Sequence, residues 1–497
     1  MKEKILFWMH GNFVNFGAAY QMSLSDNFEL FAIIDAPKKT SNFFESQKII
    51  NFKKFWYYAD LVKPEKSFDI TYLQSIEKKY GIDLWLLAMN ERYFFGDNVY
   101  HKFNRNEILS ILEKECKFFE NVLDDIKPDY VLIGMPFFHY DMLLYRICKS
   151  KKIPVFLLQS TKFTNQYTIT DETDKIIEIE KNLRNNDITL DELKNFFYDF
   201  HSSKSVLAYK NKFQKSRKSF FTSVLKYIFS SNPGPKTHYT YFGRNKITVL
   251  IKTLRYNLRT SNRKSFLDKN ASREIGVDPF IFFPLHLEDE VSLLTGAPLY
   301  TNQIEIIKQI SKSIPVGYYL CVKENPQMNM RGWRDPSIYK QLMRLPNIKL
   351  IHPDADTQSI IKKCSMVISI RGTASFEAAF HNKPSIVFVN QDYSSIPSIK
   401  TVDSISDLPK LIKETLQEKV DVSSLSAYFT GIRKKYFKLN FNQIVSSSDE
   451  ILFNGGFLLD NIITEDNMRK FLEENDSELK ILASEYEKKI DSVKSDD

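Results

Sequence analysis

The sequence predicts a two-domain α/β protein, and three observations predict it. The chain has 497 residues, several times what one hydrophobic core needs. Short apolar runs alternate with stretches of helical periodicity in both the first and the second half, the rhythm of βαβ units on a parallel sheet. In the second half one such apolar run ends at Gly372-Thr373-Ala374-Ser375, small residues that open directly into a helical pattern. The expected boundaries are 1–172 for an N-terminal Rossmann-like domain, 173–275 for a charged helical and basic insertion, 276–423 for a C-terminal Rossmann-like domain, and 424–497 for helices that pack back across the domains.

Composition excludes several classes. Hydrophobic residues make up 43% and charged residues 26% of the chain, the balance of an ordinary globular protein, with 40 Phe and 25 Tyr making it unusually aromatic. The four cysteines, Cys116, Cys148, Cys321 and Cys364, have no spacing that suggests a disulfide framework or a zinc site. The apolar run Ile5 to Met9 is too short for a signal peptide and reads as a first strand. No stretch reaches the roughly 20 apolar residues of a membrane span. These features predict a cytoplasmic protein, with any membrane contact peripheral and at the inner face of the cell membrane.

Element by element, strands are expected at Lys4 to Met9 and Leu30 to Ile34, a helix from Asn106 to Leu123, a strand from Tyr130 to Ile133, a helix from Met142 to Lys151, and a strand from Val155 to Leu158. Residues that bind ligands on such a sheet lie in the loops behind the carboxyl ends of its strands. In the first half these are His10 to Asn15, Met135 to Asp141, and Gln159 to Phe163. Asp171 to Ser272 breaks the rhythm with a charged helical stretch, Asp174 to Phe200, and a basic segment carrying the breaker Asn232-Pro233-Gly234-Pro235. Between Lys204 and Lys264 there are fifteen Lys or Arg and no Asp or Glu, so the net charge of +8 belongs to this segment and the rest of the chain is net acidic. Interleaved aromatics and a short amphipathic stretch around Val224 to Phe229 suit a solvated insert or an anionic membrane surface. No nucleic-acid motif accompanies the charge, so no nucleic-acid partner is expected.

Alternation resumes with strands at Pro279 to Pro284, Tyr318 to Val322, Ile348 to Ile351, Met366 to Ile370 and Ser385 to Val389. The helices between them are expected at Asn302 to Ile314, Ser337 to Met343, Thr357 to Cys364 and Phe376 to His381. The tail from about Ser424 reads as helices ending in a charged, frayed terminus. The strand ending at Ile370 and the turn behind it form an anion site by their chemistry. The first N–H groups of a helix lack internal partners and sit at the positive end of its dipole. Gly372 permits close approach, Thr373 and Ser375 offer hydroxyl donors beside Ala374, and Glu377 is placed to accept from a ribose diol. The alternative for these residues is an ordinary helix cap. Lys323, Glu324, Arg331, Arg334 and His352 fall in loops at the same sheet edge, where cations suit a diphosphate or phosphodiester.

Several segments, in order and spacing, resemble the capsule polysaccharide biosynthesis family. They are Phe282-Phe-Pro-Leu-His-Leu-Glu-Asp-Glu-Val-Ser, Val322-Lys-Glu-Asn-Pro, Leu345-Pro-Asn-Ile-Lys-Leu-Ile, Arg371-Gly-Thr-Ala-Ser-Phe-Glu-Ala and Lys383-Pro-Ser-Ile-Val-Phe. That family includes glycosyltransferases resembling bacterial β-Kdo transferases. The resemblance implies a GT-B architecture, two Rossmann-like domains facing each other across a cleft, with the nucleotide-sugar donor, CMP- or UDP-linked, on the C-terminal domain and a glycan or glycolipid acceptor on the N-terminal one. The family usually has Lys-Glu-His-Pro where this chain has Lys323-Glu324-Asn325-Pro326, so a cation-forming histidine is replaced by a neutral hydrogen-bond partner.

Transfer from a nucleotide sugar needs stabilisation of the departing phosphate and a base near the acceptor hydroxyl. The candidate bases are Asp141, His139, His286 and Glu288, each with a loop or capping role as its alternative. His10, Gly11 and Asn12 are candidate acceptor contacts. Asp354-Ala355-Asp356 has metal-like spacing, but it directly precedes a helix, where Asp is a common cap. No metal or other cofactor is expected to be required. Two further readings stay open: a nucleotide-sugar epimerase of two-Rossmann fold, and a non-catalytic sugar-binding or assembly protein.

Overall fold

The structure is a computed structural model that describes residues 2–25, 27–62, 65, 67–95, 100–161, 165–173, 191–192, 239, 242–243, 245–288, 290–453 and 461–496. Nearly all of the charged stretch 174–200 and of the basic segment before Asn245 lies outside the described residues, including the amphipathic stretch 224–229 and the breaker 232–235. The described residues form two compact units, one running to Thr173 and resuming at Tyr436, the other spanning Ile247–Lys435.

The first unit is built on β1 (Glu3–His10), β2 (Phe28–Asp35), β3 (Lys54–Tyr57), β4 (Tyr130–Gly134), β5 (Val155–Ser160) and β6 (Gln166–Thr170), in the spatial order β3-β2-β1-β4-β5-β6. All pairings are parallel except β6 on β5. β1 is apolar and buried from Ile5 to Met9 because both its faces are covered there. Leu6 and Trp8 enter a core with Ile111, Cys116 and Leu143, from the helices Arg105–Ile126 and His139–Ser150. Ile5, Phe7 and Met9 face the opposite core, with Phe16 from the helix Val14–Ser23 and Leu479 and Tyr486 from the helix Asp476–Asp496.

The helix Arg105–Ile126 starts where a capping box fixes it. The Asn104 side chain accepts from Glu107 N–H at 3.0 Å, and the Glu107 carboxylate accepts from Asn104 N–H at 2.9 Å. β3 and β6 were not foreseen, because four and five residues flanked by polar loops give too little alternation to recognise. The tail differs from the frayed end expected of it. The helix Asp476–Asp496 buries Leu479, Leu482, Tyr486 and Ile490, since its apolar residues recur at helical spacing among the charges.

The second unit carries β7 (Phe280–Pro284), β8 (Tyr319–Lys323), β9 (Ile348–Ile351), β10 (Met366–Ser369), β11 (Ser385–Val387) and β12 (Ile399–Thr401), all parallel, in the order β9-β8-β7-β10-β11-β12. A last strand, β13 (Phe437–Lys438), returns to the first sheet and pairs antiparallel with β6. Both units are therefore Rossmann-like. In each sheet the chain reverses its direction of winding beside the first strand, between β1 and β4 in one and between β7 and β10 in the other, and ligands of such sheets bind outside the carboxyl ends at those places.

One boundary near the predicted anion turn needs correction. The helix behind β10 runs Thr373–Phe380, not from Phe376. Thr373, Ala374 and Ser375 are its first turn rather than a loop before it. Within the expected insertion, the described portion includes the helix Lys246–Asn270, which packs in the second unit from Ile247 onward. Among the described residues no helix is long and apolar enough to cross a membrane, no group of His, Cys, Asp and Glu is placed to hold a metal ion, and all four cysteines are buried and unpaired with one another.

Candidate functional site

At the switch point of the second sheet, the loop behind β7 meets the turn behind β10. Gln303 fixes the first loop by pairing with both backbone groups of His286, its Oε1 accepting from His286 N–H at 2.7 Å and its Nε2 donating to His286 O at 3.0 Å. The His286 ring is thereby held against the turn, where its Nε2 accepts from Arg371 N–H at 3.4 Å. A Cβ added to Gly372 would come within 3.1 Å of His286 Cε1, close enough that the ring would have to shift. The turn is braced from behind. Ser369 Oγ accepts from Gly372 N–H at 3.1 Å, and Tyr393 Oη donates to Gly372 O at 2.7 Å.

The helix Thr373–Phe380 then begins without a side-chain cap, so the partial positive charge of its first turn is left for another acceptor. Arg371 stands beside this turn, its Nε donating to Gln391 Oε1 at 3.1 Å. Burial holds its guanidinium pKa below the ordinary value, an environment in which an anion would be bound strongly. Thr373 Oγ1 donates to Glu377 Oε1 at 3.0 Å, and Gln358 Nε2 donates to Glu377 Oε2 at 2.6 Å. These two contacts orient Glu377 one turn inside the helix. Ser375 departs from its expected role: it is fully buried and its hydroxyl pairs with Ser369 Oγ at 2.8 Å. The helix starts three residues earlier than expected, at Thr373 rather than Phe376, which turns Ser375 inward. Ala374, 7% exposed, packs in the core beneath the helix.

Lys323 ends β8 on the same sheet edge. Its side chain is buried, and Nζ donates to Pro353 O at 3.0 Å. Burial pushes its pKa down to about 8, while Glu324, Asp354 and Asp356 keep it from falling further. Glu324, Arg334 and Glu288 form a separate network. Arg334 Nε donates to Glu324 Oε2 at 2.8 Å, and its other nitrogens reach the Glu288 carboxylate and His286 O. Tyr339 Oη also donates to Glu324 Oε2, at 2.6 Å. Arg334 and Glu324 are thus turned inward rather than toward the rim, because buried charges require partners. Their effect on the site is to fix the backbone of the His286 loop, and Glu288 is committed to the same clamp.

His352 is likewise engaged within the protein. Its Nδ1 accepts from Asp354 N–H at 3.1 Å, and its Nε2 lies 3.0 Å from Asp268 Oδ1 and 3.1 Å from Arg273 Nη2. Arg331 closes a short 3-10 helix, Pro326–Arg331, and is exposed. Asn325 caps that helix, its Oδ1 accepting from Gln327 N–H at 2.9 Å. Asp356 caps the helix Thr357–Lys363 by accepting from Ser359 N–H at 2.9 Å, which accounts for the metal-like spacing.

In the first unit, the switch point brings together His10 from the end of β1, Asp35 from the end of β2, and Tyr140. Tyr140 Oη donates to Asp35 Oδ2 at 3.0 Å, and His10 Nδ1 lies 3.8 Å from the same oxygen. Both His10 and Asp35 side chains remain 20% exposed. Burial pushes Asp35 up to about 6 against the Tyr140 hydrogen bond, and burial pushes His10 down to about 4. At neutral pH the pair is a carboxylate beside a neutral imidazole. Asp35 was missed from the sequence, although its place at the end of a strand, two residues before Pro37, was the available signal. Gly11 follows in the turn, and Asn12 caps the next helix from Oδ1, accepting from Val14 N–H at 3.2 Å.

His139 and Asp141 are not rim residues. The His139 ring is fully enclosed, with Nδ1 2.6 Å from Glu91 Oε2 and Nε2 2.9 Å from Glu115 Oε2. Burial alone would lower its pKa, but the carboxylates of Glu115 and Glu91 outweigh burial and push it up to about 10. An imidazolium so held has both ring nitrogens committed to carboxylates. Tyr58 Oη donates to Glu115 Oε1 at 2.5 Å and lies 3.4 Å from Tyr239 Oη, which adds the buried Tyr239 to this cluster. Asp141 accepts from Phe137 N–H at 2.9 Å and Phe138 N–H at 3.2 Å, capping the helix His139–Ser150. Burial nevertheless pushes it up to about 8, against the two backbone hydrogen bonds.

No family model matches this chain, and no curated protein matches it. Solved structures similar to it include a UDP-GlcNAc 2-epimerase from Methanocaldococcus jannaschii, at 12% identity, 87% of this chain, 98% of that chain and a TM-score of 0.25. They also include Thermosulfurimonas dismutans KpsC, a beta Kdo 2,7 transferase, at 11% identity, 73% of this chain, 87% of that chain and a TM-score of 0.30. The glycotransferase of kitacinnamycin is a third, at 9% identity, 87% of this chain, 94% of that chain and a TM-score of 0.23.

Proposed function

We propose that this chain is a glycosyltransferase that moves a sugar from a nucleotide-activated donor, CMP- or UDP-linked, to a surface or capsular glycan or glycolipid. The observation that carries this reading is the turn at Gly372. There a glycine, a buried arginine and the uncapped N-terminus of a helix meet at the switch point of a Rossmann-like sheet, with Glu377 oriented one turn further in. That set of groups suits a nucleoside phosphate: N–H donors and a guanidinium for the phosphate, a carboxylate for the ribose. The sequence resemblance to the capsule family supports the same assignment.

In the transfer, the acceptor oxygen forms a bond to the anomeric carbon as the bond from that carbon to the donor phosphate breaks. The electron pair leaves with the phosphate, where Arg371, Lys323 and the first N–H groups of the helix Thr373–Phe380 stabilise it. The acceptor proton passes to a base; Asp35, with His10 beside it, is the carboxylate that the first unit holds at the carboxyl ends of its own strands. Asp141 is engaged as the cap of its own helix, and His139 is enclosed between two carboxylates.

The test is to incubate the full chain with UDP- and CMP-linked sugars, with and without oligosaccharide and lipid-linked acceptors, and to follow nucleotide release. Transfer predicts release that requires an acceptor and falls by about 100-fold or more in Asp35→Asn. Conversion of a nucleotide sugar with no acceptor present would replace this reading with an epimerase.

A further inference from the structure

The helix Lys246–Asn270 has two opposed faces. One is docked on the second unit: Tyr256 Oη donates to Met330 O at 2.9 Å, Arg263 Nη1 donates to Trp333 O at 2.7 Å, and Leu267 is buried with Trp333, Tyr339 and Leu350. The other face carries Ile247, Ile251, Leu254 and Leu258, which recur at intervals of four, three and four residues and so line up along one stripe. They are 71%, 44%, 63% and 68% exposed. A continuous run of large aliphatic side chains in water is not explained by folding of the unit.

Its flank identifies what covers it. Arg255 and Arg259 follow the stripe one position behind Leu254 and Leu258 and are exposed. The helix holds seven basic residues and one acidic one, Asp268, which lies at its docked C-terminal end and pairs with Lys264 at 2.7 Å. An aliphatic stripe bordered by cations matches the acyl and headgroup layers of an anionic bilayer, with the stripe entering the interface and the arginines at the phosphates. A second copy of the stripe would set Arg255 and Arg259 beside the same two cations of its partner. We propose that this helix docks the protein on an anionic membrane surface, through Ile247, Ile251, Leu254 and Leu258 with Arg255 and Arg259. Composition alone suggested a membrane role for the whole of 204–264. Within the described part of that segment the role falls to one face of one helix, and the inference does not rest on glycosyl transfer.

The test is co-sedimentation of the full chain with vesicles of phosphatidylcholine alone or mixed with phosphatidylglycerol. The expected result is binding to the mixed vesicles only. It should weaken about tenfold or more in the combined variant I251S, L254S and L258S, and roughly fivefold per arginine in R255E and R259E. Because these side chains are exposed, the variants should keep the thermal midpoint of the parent. A Leu258→Trp reporter should shift its emission to the blue on the mixed vesicles. Binding that survives both sets of substitutions, a reporter that does not respond, or a stripe-dependent dimer in sedimentation velocity with no vesicle binding would each overturn the proposal.

Discussion

Single residues in this chain separate into those that carry charge to a rim and those that hold charge inside. His139 belongs to the second kind, and its linkage gives a definite sign. Its pKa in the folded state, about 10, lies above the ordinary 6.5, so the stability it contributes is complete below about pH 6.5 and is lost as pH rises through about 10. Thermal midpoints of the parent should therefore fall between pH 7 and 10. In Glu115→Gln, which removes one of the two carboxylates, that slope should flatten and stability at neutral pH should drop by about 3–5 kcal/mol. An unchanged slope would show that His139 is not the group titrating. Lys323 has the opposite shift. With its pKa lowered to about 8, it sheds its proton just where a bound phosphate would want it charged. Nucleotide affinity should fall as pH rises through about 8, and the fall should be absent in Lys323→Met. Calorimetric titration at pH 7 and pH 9 checks both statements.

Among elements, the long helices and interior strands were legible in the sequence because their apolar residues repeat for enough turns to declare a period. The helix Arg105–Ile126 even displays its capping box, Asn104 and Glu107. Short strands such as β3 and β12 were not legible, since four and three residues form strands only because a neighbouring strand is there to pair with them. The same limit explains the helix start at Thr373, where local composition reads as a turn and the bonds that make it helical involve Gly372 and Ser369. A tertiary contact of this kind also decides Gly17. In the helix Val14–Ser23, a Cβ at this position would come within 2.5 Å of Leu479 Cδ2, so the first helix and the last approach as closely as they do because residue 17 is glycine. Gly17→Val should cost about 1–3 kcal/mol, read as a lowered denaturant midpoint. Leu479→Ala in the same chain should recover part of the loss. A Gly17→Val chain as stable as the parent would mean that the two helices separate easily.

For the whole molecule, the sequence was sufficient to place two Rossmann-like sheets and the sheet edges where ligands would bind, because the alternation of strand and helix is repeated many times over. It was not sufficient to sort the residues at those edges. Lys323, Arg334 and His352 read alike as loop cations, and only the fold shows that Arg334 meets Glu324 and Glu288 and that His352 meets Asp268. Asp35 was hidden for a related reason: its partners His10 and Tyr140 come from 25 residues before it and 105 after it. The account of function nevertheless depends on one place, the turn at Gly372. The most direct test is to titrate the parent and Gly372→Val with UDP, UMP, CMP, CDP, GDP and dTDP, following the thermal midpoint. A side chain at residue 372 presses on the His286 ring at 3.1 Å and on Ser369 at 3.4 Å, at the turn itself. The account predicts that at least one nucleotide stabilises the parent and that Gly372→Val, folded as judged by its unliganded midpoint, loses that stabilisation. Stabilisation of equal size in the two proteins would contradict it, since the nucleotide would then be bound somewhere other than this turn.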